Sequence, residues 1–145
     1  MDLHIDDFYK DCAGGLLQLY QAFPRKHTLY VEDLIGHEEP DEFGLPSKRH
    51  QGCFSTLLWL AEEGYLRYES TIRSEALDQA VLTEKGFLRL ASPVADVQLD
   101  TQLPASVQRV QRSLAQQLRL ALHSGHSERL VALASQLFAR PRDIV

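Results

Sequence analysis

The stretch that decides the fold is residues 45–90, LPSKRHQGCFSTLLWLAEEGYLRYESTIRSEALDQAVLTEKGFLRL. A helix is predicted from Ser47, which is suited to cap its start, to Gly64, which is suited to cap its end. The alternating run Tyr65–Glu69 and the apolar run Gln79–Leu82 then predict two strands that pair antiparallel around a polar segment. Apolar residues of the helix recur at the spacing of one face, which predicts an inward side made of Phe54, Leu57, Leu58 and Ala61.

This order of elements resembles the second half of winged helix-turn-helix domains. The resemblance is carried by Gly64-Tyr65-Leu66 at the start of a strand, by the polar wing, and by Val81-Leu82-Thr83-Glu84-Lys85-Gly86-Phe87. The last run is similar to the LT-x-KG sequence that commonly leaves the second wing strand in that family, and its threonine is suited to cap the next helix. Winged helices serve as DNA-binding repressors and as protein-interaction modules. The resemblance therefore implies a fold for residues 1–92 and two functional classes.

The chain before this stretch completes the expected domain. Apolar periodicity predicts a first helix over residues 6–23, and Gly14-Gly15 within it indicates close packing of another helix, with a break in the helix as the alternative. A short strand over residues 28–31 and a short helix over residues 30–36 are expected next. Residues 37–44 form a long acidic loop, which could hold a divalent cation but is more typical of a solvated loop.

The chain after this stretch is predicted to be helical. Residues 93–106 are expected to be a segment that connects the first domain to the C-terminal region, and residues 107–145 are expected to form a hairpin of two amphipathic helices. The expected fold class is therefore α+β, mainly helical with a small antiparallel wing, as a winged-helix-like domain (1–92) followed by a helical hairpin. The leucine stripes of the hairpin must be covered either by the first domain or by a second copy of the chain, and they include Leu114, Leu118, Leu130 and Leu137.

Composition indicates an intracellular protein with an uneven charge. The chain has 145 residues, 44% of them hydrophobic, with an acidic start and no apolar run of the about 18 residues that a membrane span needs. We therefore expect a cytoplasmic location, no membrane contact, and reduced, buried thiols at Cys12 and Cys53. Residues 1–92 hold nine Lys and Arg against sixteen Asp and Glu, a net charge of −7, whereas residues 93–145 carry +2. A DNA-binding domain usually shows a basic footprint, and this one as a whole does not.

The first turn of the helix after the acidic loop carries two cations, Lys48 and Arg49, which oppose the helix dipole. The helical phase predicts that Lys48, Arg49, Ser55 and Thr56 point outward, as on a helix that reads the major groove of duplex DNA. Arg73 in the wing is a candidate for an additional DNA contact, although neighbouring acids balance it. The alternative is that Lys48 and Arg49 neutralise the acidic loop before them.

Trp59 is the only tryptophan and is predicted to point outward on the same helix, where an exposed indole would leave a large apolar area uncovered. Three partners can cover it: the C-terminal segment of the same chain, a second subunit, or a ligand. Together with Leu114, Leu118, Leu130 and Leu137 it makes the candidate interface, and a homodimer would present two recognition helices to a two-fold site.

The sequence contains no nucleotide-binding, hydrolase or zinc-protease motif and no paired CxxC, so neither an enzyme, a cofactor nor a metal is predicted. His50 with Cys53, and His123 with His126, are three residues apart but lack further ligands nearby. The leading hypothesis is a dimeric, winged-helix DNA-binding regulator. The alternative is an acidic winged-helix-like module that binds protein and not DNA.

Overall fold

The computed structural model describes residues 3–138. Their helices are α1 (Leu3–Ala22), α2 (Val31–Ile35), α3 (Lys48–Glu62), α4 (Glu84–Ala91), α5 (Ala105–Arg112), α6 (Leu114–Ser124) and α7 (Ser127–Phe138). Their strands are β1 (His27–Tyr30), β2 (Leu66–Arg67), β3 (Ser70–Ile72) and β4 (Ala76–Leu82). All strand pairs are antiparallel, so the predicted α+β class, mainly helical with a small antiparallel sheet, is confirmed.

Strand β4 is the centre of the sheet. On one side it pairs with β1, where Tyr30 lies opposite Ala76. On the other side it pairs with β2, where Leu66 lies opposite Leu82, and with β3. The predicted pairing of residues 65–69 with residues 79–82 is thus confirmed. The polar segment between them is shorter than expected, because β3 extends the pairing to Ile72 and leaves a turn of only three residues in which Arg73 adopts a φ of 54°.

Helix α1 is the element on which the core is built, because it contacts α3, the sheet, and both α6 and α7. A Cβ added at Gly15 would lie 2.8 Å from a methyl carbon of Leu57 on α3, and one added at Gly14 would lie 3.2 Å from Leu34 on α2. The glycine pair therefore lets two other helices approach closely, as the sequence predicted, and α1 continues through it without a break.

The C-terminal region differs from the prediction at one place. A single helix was expected from Val107 to Leu122, but α5 ends at Arg112 and Ser113 caps a new helix, its hydroxyl accepting a hydrogen bond from the amide of Gln116 at 3.1 Å. The break arises because the backbone on both sides of Ser113 pairs with the segment around Pro93: Val94 N donates to Arg112 O and Leu114 N to Ser92 O.

The helices α6 and α7 pack on each other and on α1 of the same chain. Gly125, with a φ of 74°, caps the end of α6 as predicted. The predicted interface leucines of the two stripes are all buried within this one chain: Leu114, Leu118, Leu130 and Leu137.

Among residues 3–138 there is no helix both long and apolar enough to cross a bilayer.

Candidate interaction face

Helix α3 begins at the predicted cap, where the Ser47 hydroxyl accepts a hydrogen bond from the amide of His50 at 3.0 Å. Its orientation differs from the prediction. Of the residues expected to point inward, Leu57 is fully buried, and Phe54, Leu58 and Ala61 are half-buried against the core. Thr56, expected outward, is only 6% exposed and donates to the carbonyl oxygen of Gly52 at 2.9 Å. The reason is that α1 starts at Leu3, earlier than predicted, and its first turns lie along this flank of α3.

Arg49 lies on that flank and is held by α1. Its Nη1 and Nη2 atoms donate to the two carboxylate oxygens of Asp11 at 2.6 and 2.7 Å, and its Nε lies 3.6 Å from Asp7. Asp11 is only 3% exposed, so the planar guanidinium is the cation that satisfies a buried carboxylate. The hydrogen bond to Asp11 also raises the pKa of Arg49. Arg49 is therefore part of the α1–α3 packing.

The two cysteines lie beside this ion pair, one on α1 and one on α3, and both are free and fully buried. Burial raises the pKa of Cys12, and burial followed by the neighbouring Asp11 raises the pKa of Cys53 to about 12. Both groups are therefore protonated thiols at neutral pH, which fits the predicted role as core residues and gives them little nucleophilic character.

The remaining predicted DNA-binding residues lie in two different places. Lys48 and Ser55 are exposed, and Gly52 between them has no atom within 4 Å of a built Cβ, so the three form an open strip. Lys48 makes no ion pair with any described residue. Arg73 lies at the turn between β3 and β4 and lines a separate cleft of about 360 Å³, which it shares with Glu32, Glu38 and Glu75.

His50 joins this turn to α3, since its Nε2 lies 2.7 Å from the carbonyl oxygen of Ser74. The ring is 9% exposed and lies in the same cleft as Arg73. The N-terminus of α3, the β3–β4 turn and the loop over residues 36–47 therefore form one continuous surface, which we call the α3 face. No group of three or more His, Cys, Asp or Glu side chains within residues 3–138 is arranged to hold a metal ion.

The loop over residues 36–47 dominates the charge of the α3 face. Residues 28–47 contain six Asp and Glu and no Lys or Arg. His37 bridges two of these acids, with ring nitrogens 2.8 Å from Glu32 and 3.1 Å from Glu39, and the hydrogen bond to Glu32 is the largest cause of its raised pKa. The surface next to Lys48 and Arg73 is thus strongly acidic.

The same loop has a fixed backbone conformation. The carboxylate of Asp41 accepts hydrogen bonds from the amides of Phe43 and Leu45 at 2.9 and 2.8 Å, and the amide of Asp41 donates to the carbonyl of Leu45. Gly44 has a φ of 77°, which suits glycine in a tight turn. The turn presents Phe43 to solvent at 79% exposure, the highest among the large apolar side chains described.

Trp59 is covered by its own chain. Its ring makes edge-to-face contacts with Phe8 on α1, at a centroid distance of 5.1 Å, and with Phe138 on α7, at 5.5 Å. Arg89 fixes the end of α7 by donating to the carbonyl oxygen of Leu137 at 3.0 Å and to the hydroxyl of Tyr65 at 2.7 Å. The C-terminal segment of the same chain, one of the three partners expected for Trp59, therefore contacts it.

Sequence reasoning missed Asp7 and Asp11, the partners of Arg49. The available signal was their position: they are four residues apart on one helix, and Asp11 stands directly before Cys12 within the apolar stripe. An acid at such a position requires a cation.

Comparisons with protein-family models, with curated proteins and with solved structures find no match to this chain.

Proposed function

We propose that this chain is a winged-helix-type protein-interaction module that does not read duplex DNA. The fold-level part of the proposal is supported by the order of elements, in which β1 follows the first helix and joins the hairpin strand β4, while α2 and α3 lie between them. The motif at Val81–Phe87 supports it as well: Thr83 caps α4 by accepting from the amide of Gly86 at 3.1 Å.

The observation that carries the functional part is the ion pair between Arg49 and Asp11. A guanidinium that satisfies a buried carboxylate with two hydrogen bonds cannot turn to a phosphate without leaving that carboxylate unpaired. Breaking such pairs typically costs about 3 to 5 kcal/mol. This is more than a phosphate contact would return, so Arg49 contributes little to DNA affinity.

The charge of the α3 face supports the same proposal. A recognition helix enters a groove lined by phosphates, so the segments beside it normally carry cations. Here the loop before α3 contributes Glu38, Glu39, Asp41 and Glu42, all exposed, and Glu75 lies in the cleft beside Arg73. These acids would repel a duplex and attract a cationic protein surface.

The second candidate is the dimeric DNA-binding regulator. One observation favours it: Lys48, Gly52 and Ser55 form an exposed strip on α3 with no covering side chain over Gly52. With Arg49 paired to Asp11, this strip offers one cation where a phosphate-binding helix normally offers several.

The two candidates are separated by fluorescence anisotropy with a labelled mixed-sequence duplex at low and at moderate salt. We expect no binding by the unmodified chain, and no change in the Lys48→Ala/Arg49→Ala variant. Binding at low salt whose log–log salt slope becomes shallower by about two units in that variant would overturn the proposal, since each phosphate contact contributes about 0.9 to the slope.

The interaction role has a positive test of its own, with a deca-arginine peptide as the cationic probe. We expect NMR shift changes to concentrate in residues 36–47 and on the β3–β4 turn. The Glu38→Gln/Glu42→Gln variant should lose most of this binding, whereas the control Glu62→Gln/Glu63→Gln, which removes two exposed acids at the far end of α3, should retain it. Equal losses of peptide binding in both variants would mean that the affinity depends on the net charge of the protein and not on this loop.

A further inference from the structure

The loop over residues 36–47 presents an aromatic anchor at little entropic cost. Phe43 is exposed and Leu45, two residues further along the chain, is 56% exposed, while Asp41 fixes the backbone of both through their amides. Interfaces take most of their energy from a few aromatic or large apolar side chains that enter a pocket, and a preformed loop loses little freedom on binding. The loop therefore has the features expected of a segment that inserts an aromatic side chain into a pocket on a partner.

A matching surface lies on α5. This helix has no buried residue, and its Arg109 and Arg112 are both exposed. Beside it is an open cleft of about 420 Å³ that combines small apolar residues with two arginines, and it is lined by Ala91, Pro93, Ala105, Gln108, Arg109 and Arg112. A phenyl ring is smaller than this volume, and the two arginines in the lining are suited to pair with acids that flank such a ring.

The charges of the two surfaces are opposite. Residues 28–47 contain six acids and no Lys or Arg, whereas residues 101–127 contain three Arg and no acid. Within the described part of the chain, neither Arg109 nor Arg112 makes an ion pair, and neither Glu38 nor Glu42 does. Each surface thus has unsatisfied charge that the other would complement.

We propose that the loop over residues 36–47 of one copy docks on the α5 surface of a second copy, with Phe43 in the cleft beneath Arg109 and Arg112. This inference rests on the proposed interaction function and names its partner. Both complementary surfaces belong to one chain, and the arrangement we propose is two copies related by a two-fold axis, which makes the contact twice and closes into a dimer. The contact uses none of the leucines that α6 and α7 bury on α1.

The test is sedimentation of the full chain over about 1 µM to 1 mM, the range of weak to moderate dissociation constants. A dimer is expected at low salt, and dissociation should increase at high salt because exposed charges are screened. Phe43→Ser should weaken the dimer by about tenfold or more. The matched control is Leu88→Ser on α4, which is 55% exposed and should leave the mass unchanged.

Charge exchange tests the geometry directly. A chain with Glu38→Arg/Glu42→Arg and a chain with Arg109→Glu/Arg112→Glu should each be monomeric, because like charges then face each other in both contacts. Mixed together they should form a heterodimer, in which both contacts are again complementary. The control chain carries Arg25→Glu/Arg67→Glu, two exposed arginines elsewhere, and has the same total charge as the α5 variant. It keeps both surfaces and should therefore still dimerise on its own, which would show that total charge does not cause the loss of association.

The outcomes separate this inference from the proposed function. A chain that stays monomeric up to the highest concentration and binds no duplex overturns the dimer and leaves the interaction module in place. A dimer that neither Phe43→Ser nor the arginine exchange weakens also overturns the contact described here. Duplex binding whose salt slope falls by about two units in Lys48→Ala/Arg49→Ala overturns the proposed function whatever the mass of the chain.

Discussion

Replacing Arg49 by alanine should destabilise the fold much more than removing the neighbouring cation. Asp11 is 3% exposed and accepts two hydrogen bonds from this guanidinium, so the substitution leaves a buried carboxylate unpaired. Such losses typically cost about 3 to 5 kcal/mol. The Arg49 side chain is itself 28% exposed, which lets water enter the space it leaves, so we expect a smaller loss of about 2 to 3 kcal/mol.

The assay is chemical unfolding followed by far-UV circular dichroism, as a double-mutant cycle with Arg49→Ala, Asp11→Asn and their combination. The combined variant should cost less than the two single changes added together, with a coupling of about 1 to 2 kcal/mol, because no charge is then left unpaired. Lys48→Ala is the control: this exposed cation has no ion pair among the described residues, and the change should stay within about 0.5 kcal/mol. In thermal unfolding, the Arg49→Ala loss corresponds to a fall in Tm of about 4 to 12 °C.

Equal stabilities of the Arg49→Ala and Lys48→Ala variants would refute this reasoning, and so would a coupling near zero. Either result would mean that Asp11 is satisfied without Arg49. Arg49 would then be a free cation at the start of α3, and the objection to DNA binding that rests on its ion pair would fall as well.

Two further predictions concern stability and titration. Gly86→Ala should lower the free energy of unfolding by about 3 kcal/mol, because the added Cβ would lie 2.1 Å from the carbonyl oxygen of Tyr65 and the backbone would have to move. Gly52→Ala, on an open helical surface, should raise the free energy of unfolding by about 0.5 to 1 kcal/mol. Unfolding curves measure both changes, and equal effects would contradict the steric account. The pKa of His37, followed by NMR, should lie above the ordinary 6.5 and return toward it in Glu32→Gln. Because protonated His37 favours the folded state, its contribution to stability is complete below pH 6.5 and is lost as the pH rises through the pKa that His37 has in the folded state.

Features with local signals were predicted correctly from the sequence. Ser47 and Thr83 are caps that act through bonds within three residues, and strand pairing follows from alternation on either side of a turn. The Gly14-Gly15 pair also has a local signal, because two helix-breaking residues inside an apolar stripe require a reason, and close helix packing is the usual one.

The orientation of α3 could not be predicted, because it depends on which element covers each flank. Apolar spacing alone put Phe54, Leu58 and Ala61 inward. In the structure the first turns of α1 pack along the other flank, so Thr56 is buried and Arg49 meets an acid 38 positions away in the sequence. A charged pair of this separation leaves no trace in the local pattern.

The break between α5 and α6 could not be predicted either. Residues 107–122 contain neither glycine nor proline, and their apolar spacing continues across Ser113. What ends α5 is a pair of backbone hydrogen bonds to the segment around Pro93, which a periodicity argument cannot see. Because of this break α5 does not continue the direction of α6, and its valines stay exposed while Leu114 and Leu118 of α6 are buried.

The covering of Trp59 restricts where a partner can bind. Since α7 contributes Phe138 to that ring and Arg89 holds the end of α7, a partner that used Trp59 would first have to displace the helix and expose the buried leucines beneath it. Burying one such side chain contributes about 1.5 to 3 kcal/mol, so displacing several is costly. Association is less costly on surfaces that are already exposed and apolar. The loop around Phe43 and the open cleft beside α5 satisfy this condition, and they carry opposite charges.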